Sequence, residues 1–175
     1  FVEYTDDVCI LSDIDMIPMS KKYFIDKIEN YDVNKYIHLN PCIETYGHLP
    51  SCYHVCTGKT FRKILNLHEN WEDSIRFLQS QHLGHDPGGH LSGKNEWFAD
   101  EKFSSFKIIE YSKKNPDDII LLKREGGQNG FRIDRSSWSY NLENLKNEYY
   151  YDSHLIRPYS ENKEEIDKIA NIILN

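Results

Sequence analysis

Short apolar runs alternate along the chain with longer stretches in which apolar residues recur every three or four positions. Val8-Cys9-Ile10-Leu11 is a continuous apolar run of the kind that forms a buried strand, and it stops at Ser12-Asp13-Ile14-Asp15. Further strands are predicted over 36–39, halted by Pro41, and over 52–56, 119–122 and 131–134, the last after a Gly126-Gly127 turn. Helical spacing runs over 21–30 behind a Ser20 cap, where Tyr23, Phe24, Ile25 and Ile28 supply an apolar face. It returns after Thr57-Gly58-Lys59 with Phe61, Ile64, Leu65 and Leu67, and after an Asn70 cap with Trp71, Ile75, Phe77 and Leu78. A longer helix is predicted over 96–112, and a last one behind Ser160 with Ile166, Ile169, Ala170, Ile172 and Ile173 on one side. Between them, residues 82–94 hold four glycines, one proline and three histidines, too many breakers for regular structure. Strands alternating with helices predict an α/β layered domain.

Composition narrows this. The chain has 175 residues, a length that suits one domain, and 39% hydrophobic with 28% charged residues is the balance of a globular chain. No apolar run reaches the roughly 18 to 20 residues of a membrane span. A net charge of −7 argues against nucleic acid as a partner, because that needs a basic face. Cys9, Cys42, Cys52 and Cys56 are too few and too unevenly spread for a disulfide framework; they read as reduced, which favours a cytoplasmic location.

The chemistry concentrates at Asp13 and Asp15. Two apart in extended backbone, their side chains leave one face, and at a strand end they converge beyond the sheet edge. Two carboxylates there repel, and a hard divalent cation that keeps open positions for phosphate oxygens relieves the repulsion. A solvated strand-end turn has the same residue pattern. The stretch Ile10-Leu11-Ser12-Asp13-Ile14-Asp15-Met16-Ile17-Pro18 resembles the D-x-D region of nucleotide-sugar-dependent glycosyltransferases of the GT-A fold. The resemblance implies a GT-A-like mixed sheet flanked by helices, with Mn²⁺ (or Mg²⁺) bridging the diphosphate of a nucleoside diphosphate sugar. Asp15 then becomes the more direct metal ligand, and Asp13 is shared between metal and donor.

Two further stretches carry the likeness. Asn95-Glu96-Trp97-Phe98-Ala99-Asp100-Glu101 resembles the acceptor-side segment, an aromatic followed by an acidic pair at a helix start. There Asp100, or second Glu101, is the expected catalytic base, with Trp97 and His90 facing a glycan or other hydroxyl acceptor. Asp152-Ser153-His154-Leu155-Ile156-Arg157-Pro158-Tyr159 resembles the segment that returns a histidine to the metal, so His154 is the expected third ligand and Arg157 a diphosphate clamp. GT-A domains place nucleotide-binding elements before the D-x-D, whereas twelve residues precede Asp13 here. The expectation is therefore a single domain over 1–175 that is the C-terminal portion of a GT-A fold, N-terminally truncated. Arg132, Asp134 and Arg135 alternate about a predicted strand and are open to an internal ion pair or to phosphate. Competing expectations are a haloacid dehalogenase-type phosphohydrolase with Asp13 as nucleophile and a noncatalytic carbohydrate-binding piece.

Overall fold

The computed structural model describes residues 5–43, 47–66, 71–80, 99–127 and 130–174. The architecture is mixed α/β, with two mixed sheets and flanking helices. The chain divides into two compact units, one formed by Phe1–Ser12 and Val33–Lys123, the other by Asp13–Asp32 and Arg124–Asn175.

In the first unit, strands β1 (Val8–Leu11), β3 (Tyr36–His38), β4 (His54–Thr57) and β5 (Ile119–Leu121) form a sheet in the order β1-β4-β3-β5. β4 runs antiparallel to both neighbours, and β3 pairs with β5 in parallel. The run predicted as a fully buried strand is instead an edge: Cys9 and Leu11 pack on the core, while Val8 and Ile10 are 47% and 38% exposed. An edge strand covered on one face shows this alternation because successive side chains point to opposite sides. β3 and β4, inside the sheet, are buried at every residue.

Helices α2 (Gly58–Leu65), α3 (Trp71–Ser80) and α4 (Ala99–Lys114) complete this unit. Phe61 and Ile64 of α2 and Ile108 of α4 close the core over Tyr36, Leu49 and Cys56. α2 ends at Asn66, whose left-handed backbone turns its amide onto the Arg62 carbonyl. The four cysteines carry free thiols. The predicted loop over 82–94, with His90, lies outside the described residues, as do Trp97 and the Asn70 cap.

The second unit is built on strands β2 (Met16–Pro18), β6 (Arg132–Ile133) and β7 (Asp152–His154), ordered β2-β7-β6. β7 is antiparallel to β2 and parallel to β6. α1 (Lys22–Asp26) is a single π-type turn, α5 (Leu142–Lys146) is short, and α6 (Tyr159–Leu174) sends Ile169 into a core with Met19, Ile133 and Leu145. The helix predicted over 21–30 is found as α1 followed by turns: Ser20 Oγ does accept from the Tyr23 amide, and Tyr23, Phe24 and Ile28 are buried, while Ile25 is 46% exposed. Ser160 is inside the first turn of α6 and is not its cap. Among the described residues, no helix is long and apolar enough to cross a membrane.

An ion cluster anchors this second sheet. The Asp152 carboxylate, wholly buried, accepts from Arg124 Nη1 and Nη2 at 2.7 and 3.0 Å and from Arg132 Nε and Nη2 at 2.7 and 2.9 Å. The stacked rings of Tyr23 and Tyr151 lie 5.6 and 5.4 Å from the Arg124 guanidinium, and Arg124 Nε donates to the Gly130 carbonyl.

Candidate functional site

The D-x-D stretch is a turn. The Met16 amide donates to the Asp13 carbonyl at 3.1 Å, with Ile14 fully exposed at its tip, so the extended geometry expected for Asp13 and Asp15 is not the one found. The turn feeds directly into β2, and β2 then determines where Asp15 goes. Met16 stands opposite His154, and the Leu155 amide donates to the Asp15 carbonyl at 2.9 Å, one step beyond the ladder. This pairing brings together residues 139 positions apart: Asp15 Oδ2 lies 3.2 Å from His154 Nε2.

Two arginines close on the same carboxylate. Arg157, on the chain leaving β7, donates to Asp15 Oδ2, and Arg135 Nη1 reaches it at 3.2 Å. Arg135 arrives because β6 is parallel to β7, with Ile133 opposite Ser153, so the residues that follow β6 emerge beside His154. Asp134 comes by the same route. Its Oδ2 is 3.9 Å from His154 Nδ1, and its Oδ1 accepts from the Ser136 amide and hydroxyl. The imidazole thus stands between two carboxylates, one facing each ring nitrogen.

The electrostatics follow from these contacts. Burial pushes the Asp15 carboxyl up, but the Arg157 hydrogen bond and the charges of His154 and Arg157 outweigh it and hold the group below its ordinary value. For Asp134, burial is outweighed by the Ser136 hydrogen bonds and the charge of His154. The Arg135 and Arg157 side chains are 41% and 49% exposed, so both guanidiniums are open to solvent.

No protein-family model, curated protein or solved structure matches this chain. The site is read from its geometry alone. A carboxylate oxygen and an imidazole nitrogen are donor types that Mn²⁺ takes, and Asp15 and His154 supply one of each. Asp134 does not extend the set, because it faces the opposite nitrogen of the ring. Among the described residues, no group of three or more His, Cys, Asp or Glu side chains is gathered for a metal.

The acidic pair at the start of α4 belongs to the first unit. Asp100 is exposed, and its Oδ1 accepts from the Glu101 amide at 2.9 Å. Glu101 is engaged: Oε1 accepts from the Ser51 amide and hydroxyl at 2.9 and 3.0 Å, and Oε2 lies 3.1 Å from His48 Nε2. It therefore holds the loop before β4 against α4. Of the residues singled out from sequence, Asp15, His154 and Arg157 meet; Asp13 forms the turn that aims Asp15. The residue underrated was Arg135. Its signal was the polar alternation Arg132, Asp134, Arg135, which sends the first inward to Asp152 and the other two to His154 and Asp15.

Proposed function

We propose that the chain is a metal-dependent glycosyltransferase domain of GT-A type, moving a sugar from a nucleoside diphosphate donor to a hydroxyl acceptor with inversion. One observation carries the reading: Asp15, His154 and Arg157, chosen from sequence as metal ligands and diphosphate clamp, share one point at the end of the β2–β7 pair. In this reading Asp15 and His154 would hold Mn²⁺ or Mg²⁺, and the resemblance implies Asp13 as the residue shared between cation and donor. The ion would supply positive charge against the negative charge that develops on the departing nucleoside diphosphate. Arg157 receives phosphate oxygens through its planar fork. The resemblance implies Asp100 as the base that takes the proton of the acceptor hydroxyl; its carboxylate is exposed and accepts from the Glu101 amide. Glu101, with three donors already on its oxygens, acts as support.

Calorimetric titration of UDP with Mn²⁺ and with a chelator tests the reading. UDP affinity that is higher with Mn²⁺ than with chelator, a difference that disappears in Asp15→Ala and is retained in Asp100→Asn while turnover disappears, is the expected pattern. Full turnover in Asp100→Asn excludes it as the base.

A further inference from the structure

Three side chains from two stretches of chain meet at a single oxygen. His154 Nε2 and Arg135 Nη1 each lie 3.2 Å from Asp15 Oδ2, and Arg157 Nη2 donates to the same atom. A phosphate oxygen carries the same charge and accepts from the same donors, and arginine forks match it as well as they match a carboxylate. The half-exposed Arg135 and Arg157 side chains can exchange one acceptor for another without disturbing the core. Arg124 and Arg132, at 1% and 7% exposed on Asp152, cannot.

We infer that Arg135 and Arg157 form an oxyanion site for a phosphate or diphosphate group, and that Asp15 occupies it as an internal stand-in. Arg135 is thereby a second phosphate-binding arginine. The site is self-blocked: both arginines close on Asp15, and their two charges stand against those of Asp15 and of Asp134, which faces His154 and is tied to Ser136. Removing the Asp15 charge leaves one positive charge uncompensated beside the two arginines. An ion that engages Asp15 would free both arginines, so cation and diphosphate binding favour each other. The identification of the diphosphate as that of a nucleotide sugar rests on the function proposed above; the oxyanion site rests on the geometry.

The test is calorimetric titration of inorganic pyrophosphate into the full chain in the presence of a chelator. Asp15→Asn, which keeps the shape and loses the charge, and Asp15→Ala are expected to bind about fivefold to tenfold tighter than the unaltered chain. Adding Arg135→Met or Arg157→Met to Asp15→Asn reverses the gain, and each arginine change alone weakens pyrophosphate, a readout that needs no Asp15 variant. Asp15 variants that bind no tighter, or arginine variants that bind as well as the unaltered chain, overturn the inference. Failure of the glycosyltransferase reading is a different result, UDP binding that ignores Mn²⁺, and it leaves the pyrophosphate outcome standing.

Discussion

Asp152 and Asp15 are carboxylates of one small sheet, each held by two arginines, and they do opposite work. Asp152 lies inside β7 opposite Pro18, with no exposed surface and four hydrogen bonds from Arg124 and Arg132. Burial raises its carboxyl, but the bonds from Arg132 and Arg124 and their charges bring it down to about 2. Asp15 sits one step outside the β2–β7 ladder, and its arginines reach solvent. Burial separates the two cases: a sealed ion cluster cannot trade partners, while an open one can. The first holds the sheet; the second is available to a ligand.

The largest effect should come from unsealing the closed cluster. Asp152→Ala leaves two buried guanidiniums without a counter-charge, at a cost of about 3–5 kcal/mol, read as a fall in the denaturant midpoint and loss of near-ultraviolet dichroism. Mild acid acts next, through the first unit. His38 and His54 are buried, both Nε2 atoms facing the Pro50 carbonyl, with Tyr36 Oη on His54 Nδ1 and the Asn40 amide on His38 Nδ1. Burial holds His38 down at about 3, with the His54 charge adding to it, and holds His54 at about 4. The unfolded chain therefore takes up protons that the folded chain refuses. Stability is highest above about pH 6.5 and falls as the pH drops toward 4, with an uptake approaching about two protons on unfolding. Asp152 works in a lower window. Its folded value is depressed, so its contribution is intact above about pH 4 and is lost as the pH falls through 2; Asp152→Asn should flatten only that part of the profile.

Smaller effects refine the contrast. A Cβ on Gly130 would stand 2.4 Å from the Gly126 backbone, in the loop whose carbonyl anchors Arg124. Gly130→Ala should cost about 1–3 kcal/mol by disturbing the closed cluster, with little change at Asp15. Asp15→Asn should cost least, under about 1 kcal/mol in thermal unfolding, because its arginine partners are half in water. A large loss of stability in Asp15→Asn would mean that the open cluster is structural too.

Much of the first unit is legible from pattern alone, because its strands and helices are apolar runs with ordinary spacing. The predicted strands over 36–39 and 119–122 are found as Tyr36–His38 and Ile119–Leu121. The second unit is less legible. β2 is three residues ending in proline, and β7 reads Asp-Ser-His, a polar string made into a strand by non-local pairing and an internal ion cluster. Without those two strands, the sequence can nominate Asp15, His154 and Arg157 only by residue type and resemblance; their meeting depends on a register that no local pattern carries. Arg135 is hidden for the same reason, since β6–β7 pairing delivers it. Conversely, the D-x-D looks extended in sequence and is a turn, because the chain must bend there to enter β2.

The account stands on Asp15 acting as a ligand-responsive carboxylate beside His154. Its most direct test is the affinity of UDP for the unaltered chain measured with Mn²⁺ and with chelator. The expected affinity is about tenfold or more higher with Mn²⁺, with no such difference in Asp15→Ala. Equal affinity in the two conditions would contradict it.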